Sequence, residues 1–376
     1  MLGKKEKSYA DKVLSLWLLF IGIHLTLFYI YFSGQYIHFP YLLGMEIPLP
    51  LIHGPFLFLY TTSLTSQSTS MKHKWVHFLP FVISYLFFIG FFATSYDNKI
   101  EVYQAKGKGY EVQMFILRLA TAISGIAYLS KSLIVLKNHK RNIANQFSYL
   151  EKINLDWLRY LILGLCIIWL IILLHVGDEY IFGAVVLYVI FIGYYGINQV
   201  GIFTQHPNIY GDSGNNPPGY SPAVEISGTA AGIKDESTET ASEKKNVHAK
   251  YSKSSLSDAA ARAIHQKLVK LMEENKLYRN PELTLAELSQ RLNVHPNILS
   301  QVINTLEQKN FYDYINVQRI QEFKQIVNAG GNQRFTLLSL AYDCGFNSKS
   351  SFNRNFKKIA GISPSEYLSG LNMRLE

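Results

Sequence analysis

Six long, mostly apolar stretches crowd the first half of this chain, at residues 13–32, 41–63, 75–95, 112–136, 157–176 and 180–203. A helix rising 1.5 Å per residue needs about 20 such residues to cross a hydrocarbon core about 30 Å thick. Lipid offers no partner for backbone polar groups, so a chain that enters it must satisfy them internally, as helices do. The expectation is a polytopic helical membrane domain of six spans over residues 1–203. Tyr41, Trp75, Tyr96, Trp157 and Tyr180 stand at the stretch ends, where amphipathic rings suit the headgroup level. The first stretch has no small-residue cleavage site after it and is followed by further apolar runs, which argues against a cleaved signal peptide.

The basic residues between these stretches predict an orientation, because cytoplasmic loops carry the excess of Lys and Arg. Lys4, Lys5, Lys7 and Lys12 precede the first stretch, Lys72 and Lys74 follow the second, and Lys137, Lys140, Arg141 and Lys152 follow the fourth. The alternate loops "SGQYIHFP" and "GDE" carry none, and in the loop at 96–111 Lys99, Lys106 and Lys108 are offset by Asp97, Glu101 and Glu111. Both termini are therefore expected in the cytoplasm.

Ionisable groups within apolar stretches are costly and mark candidate sites. Glu46 and Arg118 fall at similar shallow depths on the second and fourth expected spans, with His175, Asp178 and Glu179 near the same level. Two readings use them: an outward-facing ligand pocket built on Glu46, Arg118 and His175, or a structural ion pair with histidines that pack the bundle. His24 and His53 fall mid-span, and Pro48, Pro50 and Pro55 predict a kinked or broken second span.

Residues 204–254 change character abruptly. They are rich in Gly, Ser, Thr, Pro and charge, a composition that buries too little apolar surface to offset chain entropy. A flexible linker is expected there, with a mean reach of about 35–45 Å by random-coil scaling.

Helical patterning returns over 255–376. In "LTLAELSQRLNVHPNILSQVINTLEQ", Thr284 and Glu287 form the pattern of a capping box, Asn293 suits a left-handed turn, and Pro296 suits the first turn of a second helix. After a long helix the pattern repeats in "LLSLAYDCGFNSKSSFNRNFKKIAG", with a turn at Gly345, a cap at Ser348, and Phe352 and Phe356 four apart on one face. The motif "SPSE" then opens a last helix, with Ser363 as cap and Glu366 closing the box. Helix, tight turn, helix is the arrangement that lays a second helix in the major groove of DNA.

The net charge of +9, from 36 Lys and Arg against 27 Asp and Glu, points to a polyanionic partner, whether nucleic acid or anionic lipid. Cys166 and Cys344 have no paired spacing, so neither a disulfide framework nor a metal site is expected. No nucleophile motif, metal-ligand spacing or phosphate-cradling glycine loop is present, so no enzyme and no cofactor are expected.

Residues 256–368, and above all "AYDCGFNSKSSFNRNFKKIAGISPSEY", resemble the DNA-binding domain of the AraC/XylS family, an all-α fold of two helix-turn-helix units joined by a long helix. With "HGPFLFLY" and "HFLP" in the first half, the arrangement resembles the Bacteroidetes-type membrane-anchored members of that family. Those relatives often carry a further span before a basic "KKEK"-like segment, within which this sequence starts. By position, the resemblance implies that Asn297, Ser300 and Gln301 in the first unit, and Lys349, Ser350, Asn353 and Arg354 in the second, face successive major grooves. Lys357 and Lys358 would then hold phosphates. Arg354 suits guanine O6 and N7, and Gln301 or Asn353 suits adenine, each good pair supplying about 1–3 kcal/mol of discrimination.

The resulting expectation is a one-component transcription regulator in the bacterial inner membrane. It has a cytoplasmic DNA-binding domain, double-stranded DNA and the lipid bilayer as partners, and control by a small-molecule or protein signal, in which homodimerisation is one route. The alternatives are a transporter, or a passive anchor carrying the DNA-binding module with sensing left to a partner protein.

Overall fold

The computed structural model describes residues 8–65, 71–151, 153–174, 177–198, 256–330 and 335–375. Among them the chain is almost entirely helical, with one isolated antiparallel bridge between Phe147 and Thr284. It divides into two units, Met1–Arg141 with Ile153–Pro207, and Asn142–Lys152 with Asn208–Glu376. The linker expected at 204–254 lies outside the described residues.

In the first unit, α1 (Tyr9–Phe32) starts earlier than its apolar run because Ser8 caps it. The Ser8 hydroxyl accepts from the Asp11 amide at 3.1 Å, and the Asp11 carboxylate accepts from the Ser8 amide at 3.0 Å. This reciprocal pairing satisfies donors that a helix start leaves open. Trp17 is fully buried and stacks on Phe56 of α2 (Pro50–Leu64), within a core that includes Leu14, Leu57, Leu158, Leu161 and Ile192. Further along are α3 (Leu79–Phe87), α4 (Ile89–Phe92), α5 (Tyr96–Gln104), α6 (Glu111–Gln146), α7 (Asp156–Leu173) and α8 (Asp178–Asn198). Gly125 lets α6 and α7 approach closely, since a Cβ there would fall 0.9 Å from the Trp169 ring.

The expectation of six spans is corrected. Among the described residues, two helices are long and apolar enough to cross a membrane, α1 with 24 residues and α6 with 36. The second expected span opens with short 3-10 turns and a proline at the helix start, leaving 15 helical residues in α2. Proline lacks the amide that would extend the helix backwards. The third divides at Phe88 into helices of 9 and 4 residues. The fifth carries Asp156 and Arg159 at its start, so its uncharged helical run is 160–173, short of the roughly 20 residues a crossing needs. In the sixth, the apolar helical run is Tyr180–Tyr195.

The second unit comprises α9 (Asp258–Asn275), α10 (Leu285–Arg291), α11 (Pro296–Leu306), α12 (Phe311–Asn328), α13 (Leu337–Asp343), α14 (Lys349–Ala360) and α15 (Pro364–Leu375). It holds two apolar cores. The first gathers Leu268, Leu283, Leu288, Leu299 and Ile303, and the second gathers Leu340, Phe346, Phe352 and Phe356. The long helix α12 serves both, contributing Phe311, Tyr314 and Ile315 to the first and Ile320, Phe323 and Val327 to the second.

Candidate nucleic-acid interface

Each half of the second unit builds the same motif from local chemistry. Thr284 caps α10 by accepting from the Glu287 amide at 3.1 Å, and the Glu287 carboxylate accepts from Arg291. Asn293 takes the turn at φ 55°, a left-handed conformation that Asn tolerates better than most residues. His295 then caps α11, its Nδ1 accepting from the Asn297 amide at 3.2 Å, with Pro296 at the first position. Leu299, Val302 and Ile303 are buried, which turns Asn297 to solvent and leaves Ser300 and Gln301 half-buried. The Ser300 hydroxyl accepts from Asn304 Nδ2 at 3.3 Å. The face α11 offers is therefore neutral and partly self-engaged.

The second motif offers a different face. Thr336 caps α13, accepting from the Ser339 amide at 3.1 Å. Gly345 makes the turn at φ +96°, a conformation that costs glycine little and other residues more. Ser348 caps α14 by accepting from the Ser351 amide at 3.1 Å. Phe352 and Phe356 are buried, their ring centroids 5.7 Å apart, and Phe346 packs 5.4 Å from Phe352. Burying that side at helical spacing sends Lys349, Ser350, Asn353, Arg354 and Lys357 outward, and all are exposed. Gly361 ends the helix at φ +79°, and Ser363 with Glu366 completes a capping box for α15.

Two exposed cations on α14 carry acidic partners. Lys358 donates to Asp313 of α12 at 2.6 Å, and its side chain remains 58% exposed. Arg354 donates to Glu151 at 2.7 Å, and its side chain remains 55% exposed.

Beneath this face lies a buried polar network that sequence reading missed. Arg319, 2% exposed, donates from Nε to the Tyr278 carbonyl at 2.7 Å. It also donates from Nη2 to the Asn280 carbonyl at 2.8 Å and to the Ser148 hydroxyl at 3.1 Å, and from Nη1 to the Ser148 carbonyl at 3.1 Å. Burial pulls its pKa down to about 10. Glu322, also buried, accepts from Lys276 at 2.8 Å and from Arg279 Nε at 3.0 Å. Burial pushes that carboxyl up, but the hydrogen bonds from Arg279 and Lys276 outweigh it and hold the group below its ordinary value. The visible signal is that Arg319 sits four residues from both Ile315 and Phe323, on the inward stripe of α12. Cys344 is buried in the second core, and burial pushes its thiol up to about 12.

Of the expected ligand residues, Glu46 and Arg118 lie among the described residues and form no ion pair with each other there. Glu46, half-buried, accepts from the hydroxyl of Tyr103, which itself accepts from the Gly44 amide at 2.7 Å. Arg118 is exposed on α6, and His175 lies outside the described residues. His24 and His53 stack on each other at 3.0 Å between ring nitrogens, and Trp17 donates to His53 at 3.2 Å. Among the described residues no group of three or more His, Cys, Asp or Glu side chains is placed to hold a metal ion.

Comparison with known proteins bears on the second unit alone. No curated protein and no solved structure matches the chain. Residues 288–370, from α10 into α15, match the family described as a helix-turn-helix domain, which supports a role as a DNA-binding transcription regulator.

Proposed function

We propose that this chain is a membrane-associated, AraC/XylS-type transcription regulator that reads DNA with α14 and positions itself with α11. The observation that carries the reading is the division of α14 into a buried aromatic face, Phe352 and Phe356, and an exposed face of Lys349, Ser350, Asn353, Arg354 and Lys357. A helix so divided has the donors that major-groove base edges and phosphates accept. The neutral face of α11, with Asn297, Ser300 and Gln301, suits register more than discrimination.

Membrane association is supported by α1 and α6. Only 22% of the most apolar window of each is buried. On α6, Phe115, Leu119, Ile123 and Ile126 are all more than half exposed. A core helix of a water-soluble protein hides such residues, whereas lipid accepts them. In this reading the first unit receives a small-molecule or protein signal, and pairing of two chains raises the local concentration of reading helices on DNA.

The test is selection of bound fragments from genomic DNA by the full-length protein in detergent micelles, beside an Arg354→Ala variant. Enrichment of a two-part site that the variant loses or relaxes supports the reading. Salt-sensitive binding without any enriched sequence defeats it, because that is the mark of phosphate contact alone.

A further inference from the structure

The second unit contains a piece of chain from far outside the helix-turn-helix region. Asn142–Lys152, which begins in the last turn of the long helix α6 and runs toward α7, is grouped with the DNA-binding helices. Phe147 forms the bridge with Thr284, the residue that caps α10. The Ser148 amide donates to the Leu283 carbonyl at 3.2 Å. The Ser148 carbonyl accepts from Arg319 and from Asn316 Nδ2, at 3.1 and 3.4 Å, and its hydroxyl accepts from Arg319 as well. Ser148 is 1% exposed, and Arg319 and Asn316 are equally hidden. This is a built receptor for a short peptide, because every polar group of Ser148 has a partner at hydrogen-bond distance.

Three residues on, the same peptide reaches the reading face. The Glu151 carboxylate accepts from Arg354 Nη2 at 2.7 Å. A guanidinium that donates to a carboxylate has fewer donors and less freedom of orientation left for guanine O6 and N7. A carboxylate standing on that face also meets DNA phosphates as a like charge. The peptide and DNA therefore compete for α14.

We propose that residues 147–151 are an autoinhibitory strap, anchored at Ser148 by Arg319 and masking Arg354 through Glu151, which must leave α14 before DNA is read. The proposal rests on the reading of α14 as the DNA-contacting helix. It assigns to this chain a receptor groove whose occupant is the chain's own segment between α6 and α7.

The test uses the full-length protein in micelles and genomic fragments selected as above. Glu151→Gln keeps the shape of the strap and removes its charge. It should tighten binding to the selected sites by about two- to fivefold, the range of a partly exposed ion pair. In an Arg354→Gln background, Glu151→Gln should give a clearly smaller gain, because only the like-charge repulsion of phosphates is then relieved. Equal affinity of Glu151→Gln and the parent protein would overturn the proposal. So would an equal gain in the Arg354→Gln background, since that gain would come from charge alone. Hydrogen exchange supplies an arm independent of affinity. The Ser148 amide should be protected in the free protein and lose protection on adding the selected DNA, and protection that persists in the complex would overturn the strap. If neither protein enriches any sequence while Ser148 stays protected, it is the DNA-reading assignment that has failed, and the proposal fails with it.

Discussion

The rings of Phe323 and Phe352 lie 4.7 Å apart, and this contact sets the roll of α14 against the long helix α12. Phe356 adds a second contact to Phe323 at 5.7 Å. With these two rings inward, helical periodicity leaves Asn353 and Arg354 no direction but outward. Phe352→Ala would empty the centre of the second core at a cost of about 3–5 kcal/mol. Calorimetry of the full chain should show the transition of the second unit lowered, with that of the first unit unmoved.

Gly345 is a sharper point of dependence. At φ +96° it occupies the left-handed region, and a Cβ there would stand 2.5 Å from the Tyr278 carbonyl oxygen. That oxygen is also the acceptor for Arg319, so it is not free to retreat. Gly345→Ala combines backbone strain of about 1 kcal/mol with the displacement of a buried hydrogen bond of about 1–3 kcal/mol. The expected result is a loss of about 2–4 kcal/mol in the second unit. Gly361→Ala, with the same sign of φ but nothing within 4 Å, should show the strain alone.

Much of the second unit was legible in the sequence because its determinants are local. Thr284, Ser348 and Ser363 each cap a helix through an amide three residues on, and Gly345 marks its turn by itself. The aromatic pair of α14 and its basic face follow from one turn of periodicity. What resisted reading was long-range. Arg319 and Ser148 are 171 positions apart, and Arg354 and Glu151 are 203 apart, so no window contains both partners. Glu46 likewise finds Tyr103 rather than a charge at matching depth. The expectation of six spans failed for another reason. Apolar content reports what a segment can tolerate around it, whereas a continuous helix also requires backbone that neither proline at 48 and 50 nor the break at Phe88 allows.

Acid should loosen the second unit through Glu322. Its folded pKa is depressed by Arg279 and Lys276, so its contribution is fully present above the ordinary glutamate value of about 4.3. That contribution is lost as the pH falls through the lower folded value, because the unfolded chain, with the higher pKa, takes up the proton more readily. Melting of the second unit, followed from pH 7 down to about pH 3, should therefore fall below pH 4.3 in the parent protein. Glu322→Gln should start lower at neutral pH and fall less over that interval. A parallel fall in both proteins would assign the acid sensitivity to other carboxylates.

The outward face of α14 should divide into groups that specify and groups that hold. Lys357, in the last turn, is exposed and placed beyond the residues that enter a groove first, so it suits a phosphate. Asn353, a turn earlier, carries the paired donor and acceptor that adenine N6 and N7 complement. Lys357→Ala should weaken binding to every sequence alike and reduce the slope of log affinity against log salt by about 1. Asn353→Ala should leave that slope unchanged and instead lose about 1–3 kcal/mol of preference at one base position. Salt titrations on the selected site, and on a copy altered at single positions, separate the two effects. Equal slopes for Lys357→Ala and the parent protein would place that lysine off the backbone. A slope change in Asn353→Ala would make it a phosphate contact rather than a reader.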